Sequence, residues 1–191
     1  VNIFDPSSYN ELHISRTDIP GLLVIALAVH GDSRGWFKES FQKEKMIAQG
    51  FPADFEVVQN NVSYNAQRGV TRGIHAEPWD KYVSISVGSA FAAIVDLRKG
   101  DTFGKVLTFE LNPGISLFVP KGCGNSYQSM EDGTTYSYLV NAHWSPDVKY
   151  TAVNLADPDL KIQWPLPLEM AEVSAKDKIN PMLKEIQPME F

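Results

Sequence analysis

Cysteine is almost missing from this chain. Cys123 stands alone among 191 residues, so no internal disulfide can staple the fold, which agrees with a reducing compartment and leaves stability to packing. Long apolar runs are missing too, since Leu22 to Val29 falls far short of the roughly 18 residues that cross a bilayer. The opening Val-Asn-Ile-Phe-Asp-Pro lacks the basic and apolar regions of a secretory signal, and a cytoplasmic protein is expected. Positive charge is in deficit. A formal net charge of -6 argues against nonspecific nucleic-acid or membrane binding, which draws on basic surface. It still leaves room for an anionic small molecule held by a few arginines. Histidine is sparse and scattered: His75 has no second histidine two residues on, and His13, His30 and His143 lie in unrelated segments. A two-histidine, one-carboxylate metal site is therefore disfavoured, and no metal is expected.

What is present is ordinary globular material, 43% hydrophobic and 21% charged, enough for one sizeable core in a single domain over residues 1–191 with N- and C-terminal extensions. Helical patterns are few. Gln42 to Gly50 reads as one short helix closed by a glycine, and Ser174 to Lys178 as one further turn. Elsewhere short β-forming runs recur: Leu12 to Ser15, Leu22 to Val29, Trp36 to Phe41, Phe55 to Tyr64, Ala90 to Leu97, Lys105 to Leu111, Ser116 to Val119, Asn125 to Met130, Thr134 to Val140 and Lys149 to Val153. Turn sequences such as Asn112-Pro113-Gly114 and Glu131-Asp132-Gly133 separate them. Many short strands at near-regular spacing point to an all-β sandwich or barrel. A jelly roll of two packed antiparallel sheets is the favoured form, because it can hold a ligand between its sheets.

The chemistry concentrates between Gly69 and Ser86. Val70, Arg72 and Ile74 alternate with Thr71 and His75, so a regular strand would set arginine and histidine on opposite faces. Glu77-Pro78-Trp79-Asp80 reads as a turn, and Lys81 opens the next strand, making a hairpin that brings His75 and Lys81 to one end of a sheet. A neutral histidine can accept a proton near pH 7, and an ammonium can stabilise the enolate oxygen left behind. Taken singly, a strand histidine is more often a hydrogen-bonded structural residue and a lysine a solvated charge. The amides of Gln59 and Asn61 in a β-rich run bond either a ligand or a neighbouring strand.

Six phrases in order resemble the dTDP-4-dehydrorhamnose 3,5-epimerase family of nucleotide-sugar epimerases: His30-Gly-Asp-Ser-Arg-Gly-Trp-Phe-Lys-Glu-Ser40, Gln59-Asn-Asn-Val-Ser63, Gly69-Val-Thr-Arg-Gly-Ile-His75, Val95-Asp-Leu-Arg98, Tyr136-Ser-Tyr138, and Ala156-Asp-Pro158 through Trp164-Pro165. The resemblance implies a cupin-type jelly roll, a homodimer, and epimerisation of a nucleotide-diphosphate-linked 4-keto-6-deoxy hexose such as dTDP-4-keto-6-deoxy-D-glucose, without metal or organic cofactor. It assigns His75 as general base, Asp157 as the carboxylate orienting it, Tyr138 as proton donor from the opposite face and Lys81 as the cation beside the C4 oxygen. Arg34 and Arg72 match diphosphate-binding arginines, Gln59 and Asn61 amides of the diphosphate and sugar region, and Phe37, Glu39 and Trp144 the nucleobase contacts. Three departures stand out. Only Ala76 to Asp80 separate the histidine from the lysine where the family commonly has more, Gly124-Asn125-Ser126-Tyr127 replaces a common Ala-His-Gly-Phe, and Trp144 stands where tyrosine is usual. Asn125 thereby joins the substrate-binding set. The alternatives are a single-carbon or CDP-sugar epimerase, a 3,4-ketoisomerase, or a noncatalytic sugar-nucleotide-binding cupin.

Overall fold

Period-two alternation becomes fourteen strands in the computed structural model, which describes residues 5–191; Val1 to Phe4, read above for a leader, lie outside the described residues. The strands are β1 (His13–Arg16), β2 (Leu23–Ala26), β3 (Val29–Asp32), β4 (Gly35–Lys38), β5 (Gln59–Asn65), β6 (Val70–Ala76), β7 (Lys81–Val87), β8 (Ala90–Asp96), β9 (Val106–Leu111), β10 (Ile115–Val119), β11 (Cys123–Ser129), β12 (Thr134–Val140), β13 (Thr151–Ala152) and β14 (Glu172–Val173). One sheet runs β1-β2-β10-β7-β12-β5 and the other β13-β6-β11-β8-β9. Their named pairings are antiparallel, except that β14 pairs parallel with β6. This is the expected jelly roll. Strands β3 and β4 form a separate hairpin. No helix among the described residues is long and apolar enough to cross a membrane.

Alternation sorts the side chains into three apolar clusters. Val83, Ile85, Leu117, Ile94 and Tyr136 meet between the sheets, where burial of each large side chain stabilises the fold by roughly 1.5–3 kcal/mol. Leu23, Ile25, Tyr82 and Phe118 point out of the first sheet onto Phe51, Phe55 and Met46 of the short helix α1 (Lys43–Ile47). Behind the second sheet Ile74, Val95 and Leu97 pack on Val153, Leu155, Leu160 and Val173. The carboxyl-terminal tail packs on this third cluster through the partly buried Leu183, Ile186 and Met189, which ties it to the body.

Two readings need correction. The long run Leu22 to Val29 divides, because β2 ends at Ala26 and β3 starts a different hairpin at Val29. The Gly69 to Ser86 hairpin is no sheet hairpin either: β6 belongs to one sheet and β7 to the other. The short Glu77 to Asp80 turn, with Trp79 buried, steps across the sandwich. His75 and Lys81 thus face each other from opposing walls.

Candidate active site

The space between the walls opens into a cavity of about 450 Å³. Arg72 and His75 from β6, Asn125 and Tyr127 from β11, Lys81 from β7, Tyr136 and Tyr138 from β12 and Ser63 from β5 all line it. Regular alternation would send Arg72 and His75 to opposite faces, yet both reach this cavity. Register explains it: Asn125 pairs with His75 but Tyr127 pairs with Arg72, so three steps on β6 match two on β11. The bulge resets the alternation. Gly73 makes it possible, with φ of +123° and Ser126 Cβ only 2.4 Å from where its own Cβ would lie, a backbone that other residues rarely adopt.

His75 Nε2 lies 2.7 Å from Asp177 Oδ1, so Nε2–H donates to the carboxylate and Nδ1 keeps its lone pair. The expected partner, Asp157, is elsewhere. Its Oδ1 accepts from the Asp159 N–H at 2.8 Å and its Oδ2 from the Leu183 N–H at 2.5 Å, closing a turn and pinning the tail. An aspartate before proline is a turn former first, and this one has both oxygens occupied by backbone. Asp177 is delivered by the helical turn α2 (Ala175–Lys178), where the Ser174 hydroxyl caps the Asp177 N–H at 3.0 Å. Burial pushes the Asp177 carboxyl up, but the His75 hydrogen bond and charge and the Gly73 N–H outweigh it and hold it below the usual carboxylate range.

On the facing wall Lys81 is buried and ion-paired with Glu77, and its ammonium lies 6.0 Å from the Tyr138 ring centroid. Burial, assisted by the Glu77 charge, raises the Tyr138 phenol, keeping it protonated and able to donate. Tyr127 and Tyr136 stack at 3.9 Å and 8° behind it. The Tyr136 hydroxyl donates to Asn125 Oδ1 at 2.9 Å, fixing that amide next to His75.

The mouth adds a cation. Lys176 lines it, bonds the Tyr150 hydroxyl and sits 4.9 Å over that ring, while Tyr150 meets His75 edge-on at 5.9 Å. Gln59 and Asn61 are bonded to each other at 2.8 Å, and Gln59 Oε1 accepts from the exposed Trp144 N–H at 3.2 Å. Asn61 pairs with Tyr138 across β5 and β12, so this strip continues the cavity floor. Arg34, Phe37 and Glu39 are not brought to the cavity. Arg34 is exposed and bonded to Asp32, Glu39 pairs with Lys45 at 2.5 Å, and Phe37 is 65% exposed on the β3–β4 arm.

Sequence reasoning missed Asp177, Glu77, Lys176 and Tyr150. The Ser174-x-x-Asp177 cap was a visible signal for a fixed turn, but nothing local says that it docks 102 positions upstream on His75.

Comparison with known proteins agrees with this architecture. The family profile described as dTDP-4-dehydrorhamnose 3,5-epimerase matches residues 16–185. A Streptococcus pyogenes protein named RmlC homolog is 49% identical over 178 residues, covering 90% of this chain and 89% of its own. A Sinorhizobium fredii dTDP-4-dehydrorhamnose 3,5-epimerase is 33% identical over 189 residues, covering 95% and 94%. The crystal structure of RmlC from Streptococcus suis in complex with dTDP-D-xylose superposes with a TM-score of 0.90 at 47% identity, covering 94% of this chain and 95% of that one.

Proposed function

Because the chain belongs to the dTDP-4-dehydrorhamnose 3,5-epimerase family, we propose how its cavity inverts carbon next to a ketone. The protein is an isomerase, an epimerase of nucleotide-diphosphate-linked 4-keto-6-deoxy sugars. His75 Nδ1, left free by Asp177, takes the proton from C5 or C3 as the C–H pair moves into an enolate. Lys81 donates to the C4 oxygen as charge builds there. Tyr138 gives its phenolic proton to the opposite face of the carbon, then regains one from solvent as His75 releases its own. Nothing is oxidised or reduced. The observation that carries this reading is the His75–Asp177 pair facing Lys81 and Tyr138 across one cavity.

Arg72, with Lys176 at the mouth, binds the diphosphate, for which guanidinium offers paired donors. Gln59, Asn61, Asn125 and Trp144 line the path of the sugar and base. The active unit is a homodimer. Val62, Tyr64 and Val87 leave an apolar patch exposed on the first sheet, and Arg34, Phe37 and Glu39 stand on an arm outside their own cavity, where they can serve a second copy's. Incubation with dTDP-4-keto-6-deoxy-D-glucose in heavy water, read by NMR, tests the reaction. Deuterium at both C3 and C5 is expected; label at one carbon makes this the narrower epimerase, a 3-keto product makes it a ketoisomerase, and binding without exchange refutes catalysis. A CDP-linked substrate run in parallel tests the base.

A further inference from the structure

Asn65 closes β5 behind the cavity with 1% of its surface exposed. Its Nδ2 donates to Thr134 O at 2.9 Å and to Ser63 O at 3.2 Å. Its Oδ1 accepts from Arg72 Nε at 3.1 Å and from the Tyr127 hydroxyl at 3.2 Å. The amide cannot turn over. Reversal would set its oxygen against two backbone carbonyls and its NH₂ against the guanidinium. Two main-chain acceptors therefore dictate where the side-chain oxygen points, and that oxygen takes the Arg72 Nε–H.

Arg72 is otherwise exposed on the cavity wall, a long side chain with several rotamers to lose on binding an anion. Engaging Nε fixes the plane of the guanidinium while leaving the terminal nitrogens for the ligand. We propose that Asn65 is a positioning residue that aims Arg72 at the diphosphate, setting nucleotide-sugar affinity without entering proton transfer; this rests on the reading of Arg72 as a diphosphate ligand. The Tyr127 hydroxyl shares the same acceptor and stiffens it from the side.

Asn65→Ser shortens the side chain beyond reach of Arg72 and keeps one O–H donor where the amide had two N–H groups, and Asn65→Leu keeps volume without an acceptor. In the full-length enzyme, KM and the Kd for dTDP rise about tenfold, the scale of one lost hydrogen bond's worth of order, while kcat stays within about twofold. In an Arg72→Met background Asn65→Ser changes dTDP affinity no further. An equal loss in that background, or a fall in kcat at unchanged KM, overturns the positioning role while sparing Arg72. Unaltered dTDP affinity in Arg72→Met alone instead refutes the diphosphate reading and the proposal with it.

Discussion

At the scale of single residues, two aspartates separate geometry from motif. Both are buried, but Asp177 bonds the imidazole while Asp157 bonds backbone N–H groups of a turn and the tail. Asp177→Asn keeps the shape and replaces the anionic acceptor that holds the His75 Nε2–H with a neutral amide. Turnover falls about 10²–10⁴-fold, the range for a mis-set or unsupported base, with little change in melting temperature. Asp157→Asn gives the reverse pattern, a lowered melting temperature with kcat within about threefold of the parent, since the amide nitrogen cannot accept from one of the two backbone N–H groups and a buried donor left without its partner costs about 1–3 kcal/mol of stability. Equal kinetic damage from both would return Asp157 to the site. Lys81→Ala removes the proposed oxyanion donor, worth about 3–4 kcal/mol in other enzymes, so kcat drops by roughly 10²–10³ while nucleotide affinity changes less; near-normal turnover removes Lys81 from the mechanism. That His75, Arg72, Tyr138 and Lys81 line one cavity was legible from phrases within β6 and β12 and from the strand that Lys81 opens. Asp177 was not, because its role is created by a tertiary contact with no local trace.

At the scale of elements, alternation bounded by turn sequences located the β6 to β12 strands to within a few residues, although β7, β8 and β11 bury both faces. It failed at β6 itself. Periodicity presumes a regular strand, and the extra residue at Gly73 moves Arg72 to the same side as His75. The β3–β4 arm offers an element-level test. Lys38 reaches back from it to donate to Ile85 O and Pro113 O, each at 2.8 Å, and burial pushes its ammonium down to about 8. A neutral amine still has two N–H groups for those two carbonyls. Between pH 8 and 10 the folded chain therefore releases a proton that the unfolded chain, near 10.5, retains. The unfolded state binds more protons there, so stability rises with pH. Lys38→Met lacks this gain. Urea unfolding of both proteins at pH 7.5, 8.5 and 9.5 should show the difference in stability between parent and variant growing in the parent's favour; a constant difference removes Lys38 as its source.

At the scale of the whole molecule, the sandwich was legible from strand number and spacing, whereas which strand joins which sheet was not, because the β6 to β7 step reads locally like a hairpin. The arm poses the remaining question. Arg34, Phe37 and Glu39 match substrate-contacting residues by sequence, yet in one chain they lie away from the cavity that holds His75. A homodimer in which each arm serves the partner's cavity reconciles the two, because a two-fold interface exchanges such elements reciprocally. Arg34→Ala and His75→Ala are each expected to be nearly inactive alone. Mixed, unfolded and refolded together, they form heterodimers in which one cavity joins an intact His75 to an intact Arg34 from the other chain. With random pairing, half the dimers are mixed and half their cavities complete, so roughly a quarter of parent activity returns. If the arm serves its own cavity, every site in the mixture carries one defect and activity stays at the level of the single variants.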